Sequence, residues 1–238
     1  MAHNLAYGLP VEALDIVLVD DHRGTQTLLR SMLSALRVNR VRAFDNAGEA
    51  LRSMTVDPPS LVLTDWEMSP MSGSQLVRLM RHERMEPLCF VPIIMVTGHA
   101  TVGVVEKAFA AGVHHMLVKP VSPARLFSRI AWVTRDSRQM RLEGERWQIA
   151  GVDDVIEKRI QTLRLSSMIM TANRRPQAVE AEQADAEELA ESIAAAATPE
   201  QAAPERADRL ALPRTPLQPA PRVKVARRKQ SSWHGWRI

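Results

Sequence analysis

The sequence is short of cysteine, of aromatic residues and of long apolar runs. Cys89 is the only cysteine among 238 residues, so no disulfide within one chain can hold the fold. Nothing cationic and no second thiol lies beside Cys89 in sequence, and it reads as a core thiol rather than a redox centre. Aromatic residues are 4% against 45% hydrophobic residues in all, which predicts an aliphatic, Met-rich core. No stretch approaches the roughly 20 consecutive apolar residues of a membrane-spanning helix. Met1 to Pro10 lack the charged start and apolar run of a secretion signal. Together these absences predict a cytoplasmic protein with no membrane span. Charge of one sign is missing locally too. Pro176 to Glu205 contains acids but no Lys or Arg, whereas the residues after Asp208 contain Lys and Arg but no acid, within a net charge of +4.

What is present is an alternation. Strand-length apolar runs occur at Ile16–Val19, Val41–Phe44, Leu61–Thr64, Ile93–Val96 and Met116–Val118. The first, third and fourth are apolar almost throughout, as strands covered on both faces are. Helical spacing lies between them, as in Leu28, Leu29, Met32, Leu33 and Leu36, or Val104, Val105, Ala108 and Phe109. Ser72 with Gln75 reads as a capping box, Ser122-Pro123 as a helix start, and Gly112 as the end of the fourth helix. Five strands alternating with helices predict an α/β fold, a doubly wound five-stranded parallel sheet over residues 13–135 whose ligands meet the carboxyl ends of the strands. Residues 1–12 read as an N-terminal arm. Residues 136–172 read as a partly helical extension, on Val152, Val155, Ile156, Ile160, Leu163 and Leu165. Residues 173–238, with seven of the 15 prolines, read as a disordered tail, acidic then basic, with transient helix over Ala178 to Ala197.

The polar residues fall where such a sheet collects ligands. Asp20 and Asp21 follow the first strand, Asp65 the third, Thr97 the fourth and Lys119 the fifth. An Asp at a strand end is often only a turn former, and a Lys-Pro pair alone means little. Five such residues at one edge form a far more specific pattern. Crowded carboxylates repel unless a cation joins them, and oxygen ligands of this kind suit Mg²⁺. A carboxylate is also a competent nucleophile toward phosphorus. A lysine supplies a point charge for a phosphoryl group and a threonine a hydroxyl donor.

These residues stand within Val17-Leu18-Val19-Asp20-Asp21, Leu61-Val62-Leu63-Thr64-Asp65-Trp66-Glu67-Met68-Ser69-Pro70-Met71-Ser72-Gly73, Pro92-Ile93-Ile94-Met95-Val96-Thr97-Gly98 and Ala111-Gly112-Val113-His114-His115-Met116-Leu117-Val118-Lys119-Pro120. In that order they resemble the receiver domain of two-component response regulators, over about Ala13 to Arg135. The resemblance implies a flavodoxin-like fold and phosphorylation of Asp65 by a histidine kinase or histidine phosphotransfer protein. It implies Mg²⁺ held by Asp21 and Asp65, with Asp20 nearby through water and the backbone carbonyl of Glu67 as a further ligand. Lys119 would contact the phosphoryl group and Thr97 would move toward it. The chain would be a phosphoacceptor rather than an enzyme with a substrate of its own, with no organic cofactor. Two departures stand out. Ser69 separates Met68 from Pro70, and Met116 occupies the position where the family usually has a switching aromatic ring.

His22 reads as a surface residue at the rim of the acidic group, and His114 and His115 as loop residues rather than metal ligands. Trp66 reads as packing beside the site. No helix-turn-helix follows Arg135, so output is expected through contact with an unidentified downstream protein. The face around the fourth and fifth helices is the expected surface. The rival is a nucleic-acid-binding regulator that uses the basic stretch 221–238, with Trp233 and Trp236. A third reading is a receiver that has lost phosphate acceptance, against which the complete five-residue set counts.

Overall fold

A computed structural model describes residues 3–152, 156–157 and 178–196. Five parallel strands, β1 (Asp15–Val19), β2 (Arg40–Phe44), β3 (Leu61–Asp65), β4 (Ile93–Thr97) and β5 (His115–Val118), form one sheet in the order β2-β1-β3-β4-β5. Five helices connect and flank them: α1 (Arg23–Ala35), α2 (Ala47–Val56), α3 (Gly73–Met80), α4 (Val102–Ala110) and α5 (Pro123–Val133). The expected doubly wound sheet is present. Because side chains alternate across a strand, each strand feeds two cores. Val17, Val19, Val62 and Met95 meet α2, α3 and α4 on one face. Ile16, Leu18, Leu63 and Val96 meet α1 and α5 on the other.

Local signals place the helices. The Ser72 hydroxyl accepts from the Gln75 N–H, and the Gln75 side chain accepts in return from Ser72, so α3 begins on a complete capping box. Ser122 caps α5 with Pro123 in its first turn. Gly112 ends α4 at φ +99°, where a left-handed residue closes the helix. Cys89 is buried, as expected of a core thiol, and burial pushes its thiol up to about 11.

Beyond the sheet the structure adds packing at the N-terminal arm and departs from the sequence reading in two places. The N-terminal arm is packed: Ala6 is fully buried, and the Asn4 side chain donates to the carbonyl oxygens of Val133 and Asp136. The expected helical extension opens with an antiparallel hairpin, β6 (Met140–Glu143) and β7 (Arg146–Ile149). Its strands are four residues long, so their period-two alternation is brief and easily lost. Trp147 N–H donates to the Arg81 carbonyl, and its ring meets Phe90 edge-on at 4.7 Å. Of the expected amphipathic stretch, Val152 and Ile156 are buried, while Val155, Ile160, Leu163 and Leu165 lie outside the described residues. The expected disordered tail contains a packed helix, α6 (Ala178–Ala196), lying against α4 and β5. Glu187, Glu188 and Glu191 lie off a buried stripe of Ala186, Leu189, Ala190, Ile193 and Ala194, and composition alone hides that stripe. Residues 197–238, with the basic stretch 221–238, lie outside the described residues.

Candidate functional site

β1 and β3 are adjacent, and the connections leave them in opposite directions across the sheet, which opens a crevice at their carboxyl ends. Asp20 follows β1, and Asp65 is the last residue of β3. Strand register does the rest: Val19 pairs with Thr64, Asp65 with Val96, and Thr97 with Val118, so all four strand ends share one edge.

The structure gathers Asp20, Asp21 and Asp65 so that one carboxylate oxygen from each lies within 4.8 Å of the others. Asp20 is buried, Asp65 nearly so, and Asp21 is exposed. Lys119 Nζ bridges the two buried acids, donating to Asp65 Oδ2 at 2.7 Å and to Asp20 Oδ2 at 2.9 Å. Burial pulls the Lys119 ammonium down, but its hydrogen bonds to Asp65 and Asp20 outweigh that and raise its pKa above the ordinary lysine value. The other oxygens are oriented by backbone. Asp65 Oδ1 accepts from Trp66 N–H at 2.6 Å, and Asp20 Oδ1 from His22 N–H at 2.8 Å. Asp21 Oδ2 accepts from Ser69 N–H at 3.4 Å, tying β1 to the loop after β3.

Formally, three carboxylates and one ammonium leave two negative charges at this edge, the complement of one divalent cation. The donor set is all oxygen, it opens to solvent at Asp21, and each carboxylate keeps unused lone pairs. These residues could hold a hard divalent ion.

Thr97 is buried at the same edge, and its hydroxyl accepts from His99 N–H at 3.2 Å. The Glu67 carboxylate lies 3.7 Å from His99 Nδ1, so the loops after β3 and β4 approach each other across the crevice mouth. His22 is at the rim, as expected, and caps α1 through Nδ1. Trp66 packs against the core beside Asp65. His114 and His115 are not loop residues. His115 opens β5, both are buried, and each Nδ1 accepts a backbone N–H, from Ile93 and Met116 respectively. Burial holds His114 well below the usual histidine range and His115 down at about 3.

Three supporting residues escaped the sequence reading. Gly73 packs so closely on the site that a Cβ there would lie 1.8 Å from the Asp65 carbonyl oxygen. Its conspicuous place at the end of the Asp65 motif was the available signal. Arg81 is fully buried and donates to the carbonyl oxygens of Gly112, Cys89 and Val91. Burial lowers its pKa to about 9. Arg138 forms a buried pair with Asp136 at 2.7 Å, donates to the His114 carbonyl and lies over Trp132. Nothing in the sequence around either arginine marks it as buried.

The family model for the response regulator receiver domain matches residues 16–131. Chemotaxis protein CheY1 of Helicobacter pylori is 30% identical over 119 residues, covering 49% of this chain and 94% of that protein. Chemotaxis protein CheY-3 of Vibrio cholerae is 29% identical over 117 residues, covering 49% of this chain and 88% of that protein. A solved receiver domain from a Pseudomonas aeruginosa sensor histidine kinase, with a magnesium ion coordinated in its active-site cleft, is 29% identical and covers 51% of this chain and 98% of its own, at a TM-score of 0.47. The chain belongs to the response regulator receiver domain family of two-component signalling.

Proposed function

We propose that Asp65 accepts a phosphoryl group from the phosphohistidine of a histidine kinase or histidine phosphotransfer protein, and that the chain then signals by protein contact. In this reading a carboxylate oxygen of Asp65 forms the new O–P bond as the N–P bond to the donor imidazole breaks. The electron pair returns to the imidazole nitrogen, which takes up a proton. Asp21, Asp65 and the Glu67 carbonyl would hold Mg²⁺, with Asp20 acting through water. When bound, the ion neutralises charge developing on the phosphoryl oxygens. Lys119 holds the incoming phosphoryl group as a point charge, and Thr97, one strand away, donates the hydroxyl proton that its bond from His99 N–H leaves uncommitted.

The observation that carries the reading is Lys119 Nζ seated between Asp65 and Asp20, at 2.7 and 2.9 Å. A turn-forming Asp does not need a half-buried ammonium from beyond a strand two places away. The test is incubation with a small-molecule phosphodonor and Mg²⁺, followed by intact mass. One added phosphoryl group is expected, lost in Asp65→Asn and on chelation. No gain, or a gain that survives Asp65→Asn, refutes the assignment.

A further inference from the structure

The hairpin that follows α5 has one edge filled and one edge open. Ala150 N–H donates to the Gln139 carbonyl, and the register pairs Arg141 with Gln148, Leu142 with Trp147 and Glu143 with Arg146. Bonding alternates along an antiparallel pair, so Gln139, Arg141 and Glu143 turn their backbone groups toward β7, whereas Met140 and Leu142 turn theirs outward. β7 keeps the same phase: Trp147 N–H points outward and donates to the Arg81 carbonyl, and Glu83 N–H donates to the Glu145 carbonyl. The outer edge of β7 is thereby closed by the chain after α3. At the outer edge of β6, no described residue bonds the N–H or C=O of Leu142. Arg141, Leu142 and Glu143 are all exposed, Leu142 at 46%. Neither Arg141 nor Glu143 forms an ion pair with a described residue.

We propose that β6 is an interface for a second copy of this chain, the two β6 strands pairing antiparallel about a two-fold axis at Leu142 to give a four-stranded sheet, β7-β6-β6-β7. Charge selects both the occupant and the register. Outward residues must face outward residues, so the axis passes through a residue and not between two. An axis at Arg141 sets Arg141 against its own copy, and an axis at Glu143 does the same for Glu143; both place like charges opposite each other. An axis at Met140 falls on a buried residue. An axis at Leu142 sets Arg141 of each copy opposite Glu143 of the other, twice. The two Leu142 backbones then exchange a pair of hydrogen bonds, and their exposed side chains meet. One-signed charges on an edge strand would repel a second copy. Arg141 and Glu143 instead carry opposite signs, in the arrangement that a two-fold axis makes self-complementary. Each side contributes a strand of four residues, so the dimer is small and reversible. The hairpin rests on the chain after α3, where Arg81 bonds the carbonyls that precede β4 and β5, at the opposite ends of the strands from Asp65. Pairing leaves the Asp65 crevice open, and the proposal stands or falls separately from the phosphoryl reading.

The test is sedimentation equilibrium of the full chain over a concentration series. Wild type is expected to pass from one chain mass to two as concentration rises. Arg141→Glu alone and Glu143→Arg alone turn both rungs from attraction to repulsion, and each is expected to weaken association at least about tenfold. The double variant Arg141→Glu/Glu143→Arg regains complementarity and is expected to dimerise as wild type does. An equimolar mixture of the two single variants is expected to form a heterodimer. Leu142→Pro removes an outward N–H on which the bonds to β7 do not depend, and is expected to be monomeric. Leu142→Cys reads the register. Residues that exchange hydrogen bonds across antiparallel strands stand about 5.5 Å apart at Cα, within disulfide reach, so oxidation should link two chains through position 142. Arg141→Cys should link far less. A wild type still monomeric at about 1 mM overturns the proposal. So does a dimer that survives both single charge variants, which would belong to another surface, or failure of both the double variant and the mixture to restore association.

Discussion

Replacing Lys119 with methionine should destabilise the protein in chelator and much less in Mg²⁺. The side chains involved are 23%, 12% and 1% exposed for Lys119, Asp65 and Asp20, so the group is mostly shielded from water. At 2.7 and 2.9 Å and an effective dielectric of about 20, each attraction is about 6 kcal/mol before desolvation is subtracted. Desolvation of the ammonium takes back much of that. Breaking such a pair by removing one partner generally costs about 3–5 kcal/mol, because the remaining charge is stranded. Here two carboxylates are stranded, facing each other. Methionine keeps the length of the stem, so packing changes little. A divalent cation at Asp20, Asp21 and Asp65 supplies the missing positive charge. The formal charge of the site falls from −2 to −3 in the variant, so its affinity for the ion should rise. At an ion concentration of about 100 times Kd, linkage returns about 2.7 kcal/mol. The assay is urea denaturation of wild type and Lys119→Met, each in chelator and across a Mg²⁺ titration. The expected result is a large gap in chelator that narrows as Mg²⁺ rises. A gap of the same size at every Mg²⁺ concentration would mean that the ion does not share the Lys119 carboxylates, and would refute the reasoning.

Further outcomes follow from other contacts. Gly73→Ala forces a Cβ to within 1.8 Å of the Asp65 carbonyl oxygen, so a loss of about 1–3 kcal/mol in urea denaturation and slower phosphorylation are expected. Wild-type values on both would show that the loop has room. Arg81→Met leaves the carbonyls of Gly112, Cys89 and Val91 buried and unpaired, at about 1–3 kcal/mol for each group. Thermal melting should fall steeply, with little change in the chemistry of Asp65 in the fraction that folds. The folded-state pKa values of His114 and His115 lie below the unfolded value, so between about pH 6.5 and 4 the unfolded chain binds protons that the folded chain does not. Stability therefore falls on acidification by about 1.4 kcal/mol per pH unit for each histidine. His115→Gln should flatten the acid limb of stability against pH, and an unchanged slope would contradict a neutral, buried His115.

The parts of this molecule that were legible in its sequence are those set by neighbours in the chain. Ile16–Val19 and Ile93–Val96 announce buried strands because both faces must be apolar, and Ser72 with Gln75 announces a helix start because two orphan N–H groups need acceptors within three residues. Once the strands are in order, topology alone carries Asp20, Asp65 and Lys119 to one edge, although 99 positions separate Asp20 from Lys119. The residues that were not legible have partners fixed only by tertiary structure. Arg81 reads as an ordinary helix-end arginine until Gly112, Cys89 and Val91 turn their carbonyls toward it. Glu187 and Glu191 read as a solvated acidic run, and Arg125 and Arg129 as the wet face of α5; each pair makes sense only in the presence of the other, 62 positions away. Ala186 and Ala190 add nothing to an apolar signal, and that same smallness lets α6 approach β5. The missing basic residues between Pro176 and Glu205 are thus the trace, in the sequence, of an arginine ladder that the fold supplies from α5. A one-signed segment predicts disorder only when no oppositely charged surface lies within reach of its tether, and that condition belongs to the fold.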